Sequence, residues 1–179
     1  MSSRSDAVLR PAETGDFGRI HEIYAHHVRH GLASFEEVPP DQAELVDRHA
    51  AIVARGLPYL VALKHGRVVG YSYAGPYRTR SAYRYTVEDS VYLAPEAARL
   101  GIGRLLLSAV IARCTELGYR QMVAIIGDSA NAASIGLHLR LGFRMIGNIE
   151  GVGFKLGRWV DSVLMQRPLG PGNGAPPTR

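Results

Sequence analysis

The sequence predicts an α/β protein, a mixed sheet with helices on both faces, and three observations predict it. Two strand-length runs, Tyr59 to Leu63 and Arg67 to Tyr73, flank Lys64-His65-Gly66, a hairpin turn signal that pairs them antiparallel. Thr86 to Leu93 reads as a strand and Leu105 to Leu117 as a helix, with apolar residues three and four apart. Met122 to Ile126 reads as a strand buried on both faces, so this unit requires a parallel pair joined by a right-handed crossover. Finally, Phe143 to Ile149 and Val160 to Arg167 supply two closing strands.

The remaining elements follow in order. Val8 to Pro11 is a short first strand, and Thr14-Gly15-Asp16 starts a helix running to about His30, with Phe17, Ile20, Ile23, Tyr24 and Val28 on its buried face. Also on this helix, His26 and His30 stand four residues apart with His27 beside them. No third ligand is near and H-E-x-x-H is absent, so they read as a polar face and no metal is expected. Ala33 to Glu36 is a short extended piece ended by Pro39-Pro40. A second amphipathic helix runs from about Asp41 to Arg55, closed by Gly56 and Pro58. Gly75-Pro76 breaks the second hairpin strand, and Tyr77 to Tyr85 is an irregular connection rich in arginine and tyrosine. A last helix spans Asn131 to Leu141, stopped by Gly142. Pro168 to Arg179 lacks periodicity and reads as a disordered tail, leaving one domain over residues 1–167.

Composition narrows the function classes. A chain of 179 residues with 46% hydrophobic content fits one domain with a full core. The first ten residues lack the apolar stretch of a signal peptide, no run is long enough to span a membrane, and a single Cys114 allows no internal disulfide. A cytoplasmic protein that neither sits in a membrane nor binds nucleic acid is expected. A net charge of +5 is mild for a nucleic-acid binder and suits a protein that holds an anionic ligand.

The strongest local signal is Ala98-Arg99-Leu100-Gly101-Ile102-Gly103-Arg104, between a strand and a helix. Two glycines a residue apart permit a tight turn whose N–H groups face one anion at a helix N-terminus, with arginines adding charge. It is neither a P-loop nor a dinucleotide fingerprint, and a plain glycine turn has the same spelling. Further along, Asn131, Ser134 and His138 share one helix face, which a solvated polar face would also explain. Glu88 and Asp89 are consecutive on a strand and point to opposite faces, so at most one serves a cleft beside the glycine loop.

Taken together the motifs are specific. They are Ser34-Phe35-Glu36, Pro76 to Tyr83, Thr86-Val87-Glu88, Val91-Tyr92-Leu93-Ala94-Pro95 and Gly101-Ile102-Gly103. After these come Ala124 to Gly127, Asn131 to Ile135 with His138, Leu141-Gly142-Phe143, and Gly153-Phe154-Lys155 with Trp159. From Val8 to Arg167 the chain resembles the GCN5-related N-acetyltransferases, within them the phosphinothricin and methionine sulfoximine acetyltransferase branch. The resemblance implies acetyl transfer from acetyl-CoA to a small primary amine, without a metal, by a homodimer. It places pantetheine against Val91, Tyr92 and Leu93, the pyrophosphate on Arg99 to Arg104, Asn131 and Ser134 on the cofactor, and the general base at Glu88. One departure stands out: Ala98 replaces a basic or Gln residue, and Arg99 a small one.

Physical chemistry fills in the roles. An α-amino group with pKa near 8 is mostly protonated at pH 7, so a base is needed, and burial raises a carboxylate such as Glu88 toward that task. A backbone N–H near Leu93 is the expected oxyanion donor, and His138 stands where relatives often carry a tyrosine, as candidate proton donor to the leaving thiolate, with a hydrogen-bonded packing residue as the other reading. Arg78 and Arg80 are candidates to clamp an acceptor carboxylate or phosphinate, with Phe35 and Tyr83 walling its side chain; a surface arginine cluster is the other reading. A peptide N-terminus or polyamine acceptor, and a CoA-binding module without turnover, remain as alternatives.

Overall fold

The computed structural model describes residues 6–177. In chain order the elements are β1 (Val8–Pro11), α1 (Phe17–His30), α2 (Gln42–Val53), β2 (Tyr59–Lys64), β3 (Arg67–Pro76), β4 (Thr86–Leu93), α3 (Ile102–Glu116), β5 (Gln121–Gly127), α4 (Ala132–Arg140), β6 (Arg144–Lys155) and β7 (Arg158–Pro168). One seven-stranded sheet runs β1-β2-β3-β4-β5-β7-β6, antiparallel throughout except for the parallel pair β4/β5. The predicted mixed sheet and its crossover are both present.

Strand alternation builds the two layers. One face of the sheet carries Tyr59, Tyr71, Tyr73 and Tyr92. Tyr59 and Tyr73 stack at 4.8 Å and Tyr71 and Tyr92 at 5.4 Å, under Phe17, Ile20, Ile23 and Tyr24 of α1 and Leu45 of α2. The opposite face carries Ala74, Val87, Met122 and Ala124 against Leu107, Val110 and Cys114 of α3. Cys114 is fully buried, and burial pushes its thiol up to about 12, so it is the inert small hydrophobe expected.

Four expectations need correction. Helix α3 begins at Ile102, not Leu105, because left-handed Gly101 (φ 79°) is its N-cap, which puts Gly103 inside the first turn. Strand β3 continues through Pro76 and is not broken at Gly75-Pro76. Strand β6 runs on to Lys155 and turns through Leu156-Gly157 (φ 50° and 77°) into β7; Gly147, Gly151 and Gly153, with register shifts beside them, hid its alternation. The tail is the fourth. Leu169 is 1% exposed in the core of the α3 layer and its N–H donates to the Arg120 carbonyl, so the ordered core reaches past residue 167.

Candidate active site

The site arises where β4 and β5 part. Their pairing covers only Thr86↔Gln121, Val87↔Met122 and Glu88↔Val123, and beyond it the strands diverge. The resulting cleft is lined by Asp89 to Tyr92 on one side, Ala124 to Gly127 on the other, Asn131, Ser134 and His138 of the α4 region, and Ala33 from the α1–α2 loop. Three sequence candidates from α4 and two from β4 thus meet in one cleft.

Glu88 occupies the last paired position, on the tyrosine face. Burial, helped by the neighbouring Asp89 charge and opposed by Arg78, raises its carboxyl to about 7. A carboxylate at that value exchanges protons near neutral pH, as a general base must.

His138 is placed differently from a free proton donor. Its Nε2 is 3.0 Å from Asp89 Oδ2 and its Nδ1 is 2.8 Å from the Ser134 carbonyl, so both ring nitrogens are engaged. Burial opposes the imidazolium, but the Asp89 hydrogen bond and charge outweigh it and raise the pKa. Asn131 caps α4 by accepting from the Ser134 N–H with Oδ1 at 3.1 Å, which leaves its Nδ2 outside the cap.

At the far end of β4, Gly101 at the α3 N-terminus and Arg99 (φ 63°) both adopt the left-handed region. That conformation costs an arginine about 1 kcal/mol. Arg99, Leu100 and Arg104 are exposed, whereas Ile102 points its side chain into the core and offers only backbone. Turned N–H groups at a helix start, flanked by exposed arginines, fit a pyrophosphate. The divergent β4 edge fits an extended amide-bearing arm, so the residues present suit acetyl-CoA.

The acceptor candidates divide. Arg78, Arg80 and Tyr83 line one cavity of about 530 Å³ together with Arg55, Arg84 and Thr86, and the Arg78 guanidinium lies over the Tyr77 and Tyr83 rings at 5.1 and 5.9 Å. Phe35 is elsewhere. Its ring packs on Gly153 of β6, where a Cβ would come within 3.0 Å of it.

That loop is held against the cleft by contacts that join residues from distant parts of the sequence. Lys155 Nζ, buried, donates to the Ser34 carbonyl at 2.6 Å, and the Tyr24 hydroxyl meets Ser34 Oγ at 3.0 Å. Gly127 lies so close to the Leu32 carbonyl that a Cβ would sit 2.0 Å from it. The spelling Gly153-Phe154-Lys155 was legible as a motif, but its function needs the tertiary contact. Among the described residues, no three His, Cys, Asp or Glu side chains gather as a metal site would require, and no helix is long and apolar enough to cross a membrane.

Comparisons with known proteins agree with this geometry. A family model described as the acetyltransferase (GNAT) family matches residues 18–143. A phosphinothricin N-acetyltransferase of Alcaligenes faecalis is 54% identical over 171 residues, 96% of this chain and 87% of its own. An L-methionine sulfoximine/L-methionine sulfone acetyltransferase of Pseudomonas paraeruginosa is 42% identical, over 95% and 99%. Among solved structures, a phosphinothricin acetyltransferase of Sinorhizobium meliloti in complex with AcCoA superposes with TM-score 0.94 at 49% identity, over 100% of this chain and 95% of that one. A ribosomal-protein-alanine N-acetyltransferase of Brucella melitensis gives 0.88 at 37%, over 90% and 99%. With β4 and β5 splayed above a glycine-turned helix start, and relatives of this closeness over nearly its whole length, the chain belongs to the acetyltransferase (GNAT) family.

Proposed function

We propose that this protein moves the acetyl group of acetyl-CoA to the primary amine of a small amino-acid-like acceptor, of the phosphinothricin, methionine sulfoximine or methionine sulfone type. The observation that carries the reading is Glu88, a carboxyl raised to about 7 by burial at the very residue where the central strands part. Acetyl-CoA, when bound, supplies the activated acetyl thioester. For its part, the chain holds the pyrophosphate on the backbone around Gly101 to Gly103 with Arg99 and Arg104, and the pantetheine arm along Val91 to Leu93 with Asn131 and Ser134 opposite. Glu88 takes the ammonium proton, directly or through one water, so that the amine is neutral. The Leu93 N–H, on the side of β4 that faces the gap, serves as donor for a carbonyl oxygen. Arg78 and Arg80 supply the charge that recognises an acceptor's acidic group.

A second reading, a peptide N-terminus as acceptor, is favoured by the Brucella melitensis neighbour and its name. Thiol release from acetyl-CoA, measured with the three amino-acid analogues, alanine-initiated peptides and spermidine, separates the readings. Activity confined to the analogues is expected; activity confined to peptides overturns the acceptor assignment. The Glu88→Gln variant is expected to keep its acetyl-CoA affinity while turnover falls about 100-fold; unchanged turnover removes Glu88 from that role.

The reading includes a cytoplasmic homodimer. Its support is the lone buried thiol and the apolar edge strand β6, which exposes Met145, Ile146, Ile149, Val152 and Phe154 beside Trp159. A monomeric mass by light scattering for the wild type would overturn the dimer.

A further inference from the structure

Four histidines of α1, His21, His26, His27 and His30, take no part in the site above, and one of them does not belong to a polar face. His26 and His30 are exposed, with ring centroids 5.1 Å apart. His27 turns inward. It is half-buried beside the Tyr92 ring at 5.5 Å, and its Nε2 lies 2.8 Å from the Leu93 carbonyl oxygen. A carbonyl only accepts, so Nε2 carries the hydrogen and donates. Burial holds the His27 pKa below its usual value, against the opposing pull of that hydrogen bond.

The direction of that carbonyl matters. The Ala94 N–H donates to the Val69 carbonyl, and the register pairs Leu93 with Gly70. In an antiparallel ladder successive residues turn their backbone groups to opposite sides. Tyr92 and Ala94 therefore face β3, and Leu93 presents both its C=O and its N–H toward the β5 side. There β5 has already left: its pairing with β4 ends at Glu88↔Val123, five residues earlier. In place of a neighbouring strand, the Leu93 carbonyl has a side chain from α1, and the N–H of the same residue stands next to the opening.

We propose that His27 is a positioning residue, which by holding the Leu93 carbonyl fixes the end of β4 so that the Leu93 N–H stays aimed into the gap, where it meets the acetyl carbonyl oxygen. The proposal rests on the acetyl-transfer reading and adds to it a residue from a helix that contributes nothing else to the cofactor side. Without the bond, the last residues of β4 are free to twist, and the N–H loses its aim while the cofactor's nucleotide contacts, on the far side of Ala94, are untouched.

The test compares two ligands that differ only in the acetyl group. Calorimetric titration of wild type, His27→Phe and His27→Gln with acetyl-CoA and with CoA is expected to show CoA binding unchanged in all three. Acetyl-CoA binding weakens about 10-fold in His27→Phe and returns within about 3-fold of wild type in His27→Gln, whose amide N–H restores a donor. With an accepted amine, kcat falls about 10-fold in His27→Phe while KM for the amine stays put. Equal weakening of both ligands, alongside a lowered Tm, reduces His27 to a packing residue and overturns the proposal, as does an unchanged acetyl-CoA affinity. Because the binding comparison needs no acceptor, a wild type that acetylates no amine overturns the functional reading alone.

Discussion

His138 on α4 and Asp89 on β4 are locked together in the interior, Nε2 to Oδ2 at 3.0 Å, with 3% and 2% of their side chains exposed. This pair ties the wall of the cleft that carries Asn131 and Ser134 to the strand that carries Glu88. One oxygen, Asp89 Oδ1, lacks a hydrogen-bond partner, so the pair has no reserve if its single bond is lost.

Removing one member of such a pair leaves a buried charge or polar group uncompensated. His138→Asn is expected to lose about 3 kcal/mol in denaturant unfolding. Because the His138 pKa is raised in the folded state, its stabilisation is complete below the unfolded value of 6.5 and is lost as pH rises through the folded value. Wild-type stability should therefore decline above pH 6.5 by a component that His138→Asn lacks; parallel stability curves for the two would refute this.

Glu88 sets a second pH dependence. With its carboxyl raised to about 7, activity is expected to climb through pH 7 as the base ionises, and Glu88→Gln should lose that limb. The same shift acts on stability. A folded pKa above the unfolded one gives stabilisation that is full at low pH and gone once pH passes 7, so at pH 8 Glu88→Gln should melt higher than wild type. A lower Tm for that variant at pH 8 contradicts the account.

The arginine cavity predicts separable effects. Arg80→Ala is expected to raise KM at least about 10-fold for an amine bearing an acidic group and to leave KM for acetyl-CoA unchanged. Arg78→Ala should do this and also shift the ascending pH limb upward, since the Arg78 charge lowers the Glu88 pKa. Equal changes in both KM values would remove these arginines from the acceptor side.

The strap over the cleft is equally exposed to substitution. Gly127→Ala places a methyl 2.0 Å from the Leu32 carbonyl, a backbone atom that cannot swing away. A loss of about 2 kcal/mol or more is expected, with a raised KM for the acceptor. Lys155→Met, which removes the donor to Ser34 without adding bulk, tests the same strap from β6; an unchanged acceptor KM in both variants would show that the loop plays no part in acceptor binding.

How much of this was legible in the chain depends on the range of the contact. Helix and strand periods, the His65-Gly66 turn and the strand, glycine loop, helix, strand unit are local patterns, and each appears within a few residues of its predicted bounds. Glu88 and the glycine loop at Gly101 to Gly103 stand out in the sequence as motifs. Strand β6 was cut short because three glycines erase the alternation that marks a strand, and Leu169 was missed because one buried residue in a Pro/Gly tail carries no period. Helix spacing puts His138 on one face with Asn131 and Ser134, but its two hydrogen bonds come from 4 and 49 residues away, and the second is invisible to that spacing.

Apolar periodicity and turn chemistry were enough for the order of elements, because those signals reside in a residue and its near neighbours, while the candidate site residues came from motifs that resemble a family. Only the folded chain decided which of them meet: that β4 and β5 part after Glu88, that His138 is held by Asp89, and that His27 reaches the Leu93 carbonyl from 66 residues away. Each of these depends on burial and on backbone direction across strands, and both are set by packing between segments far apart in the chain.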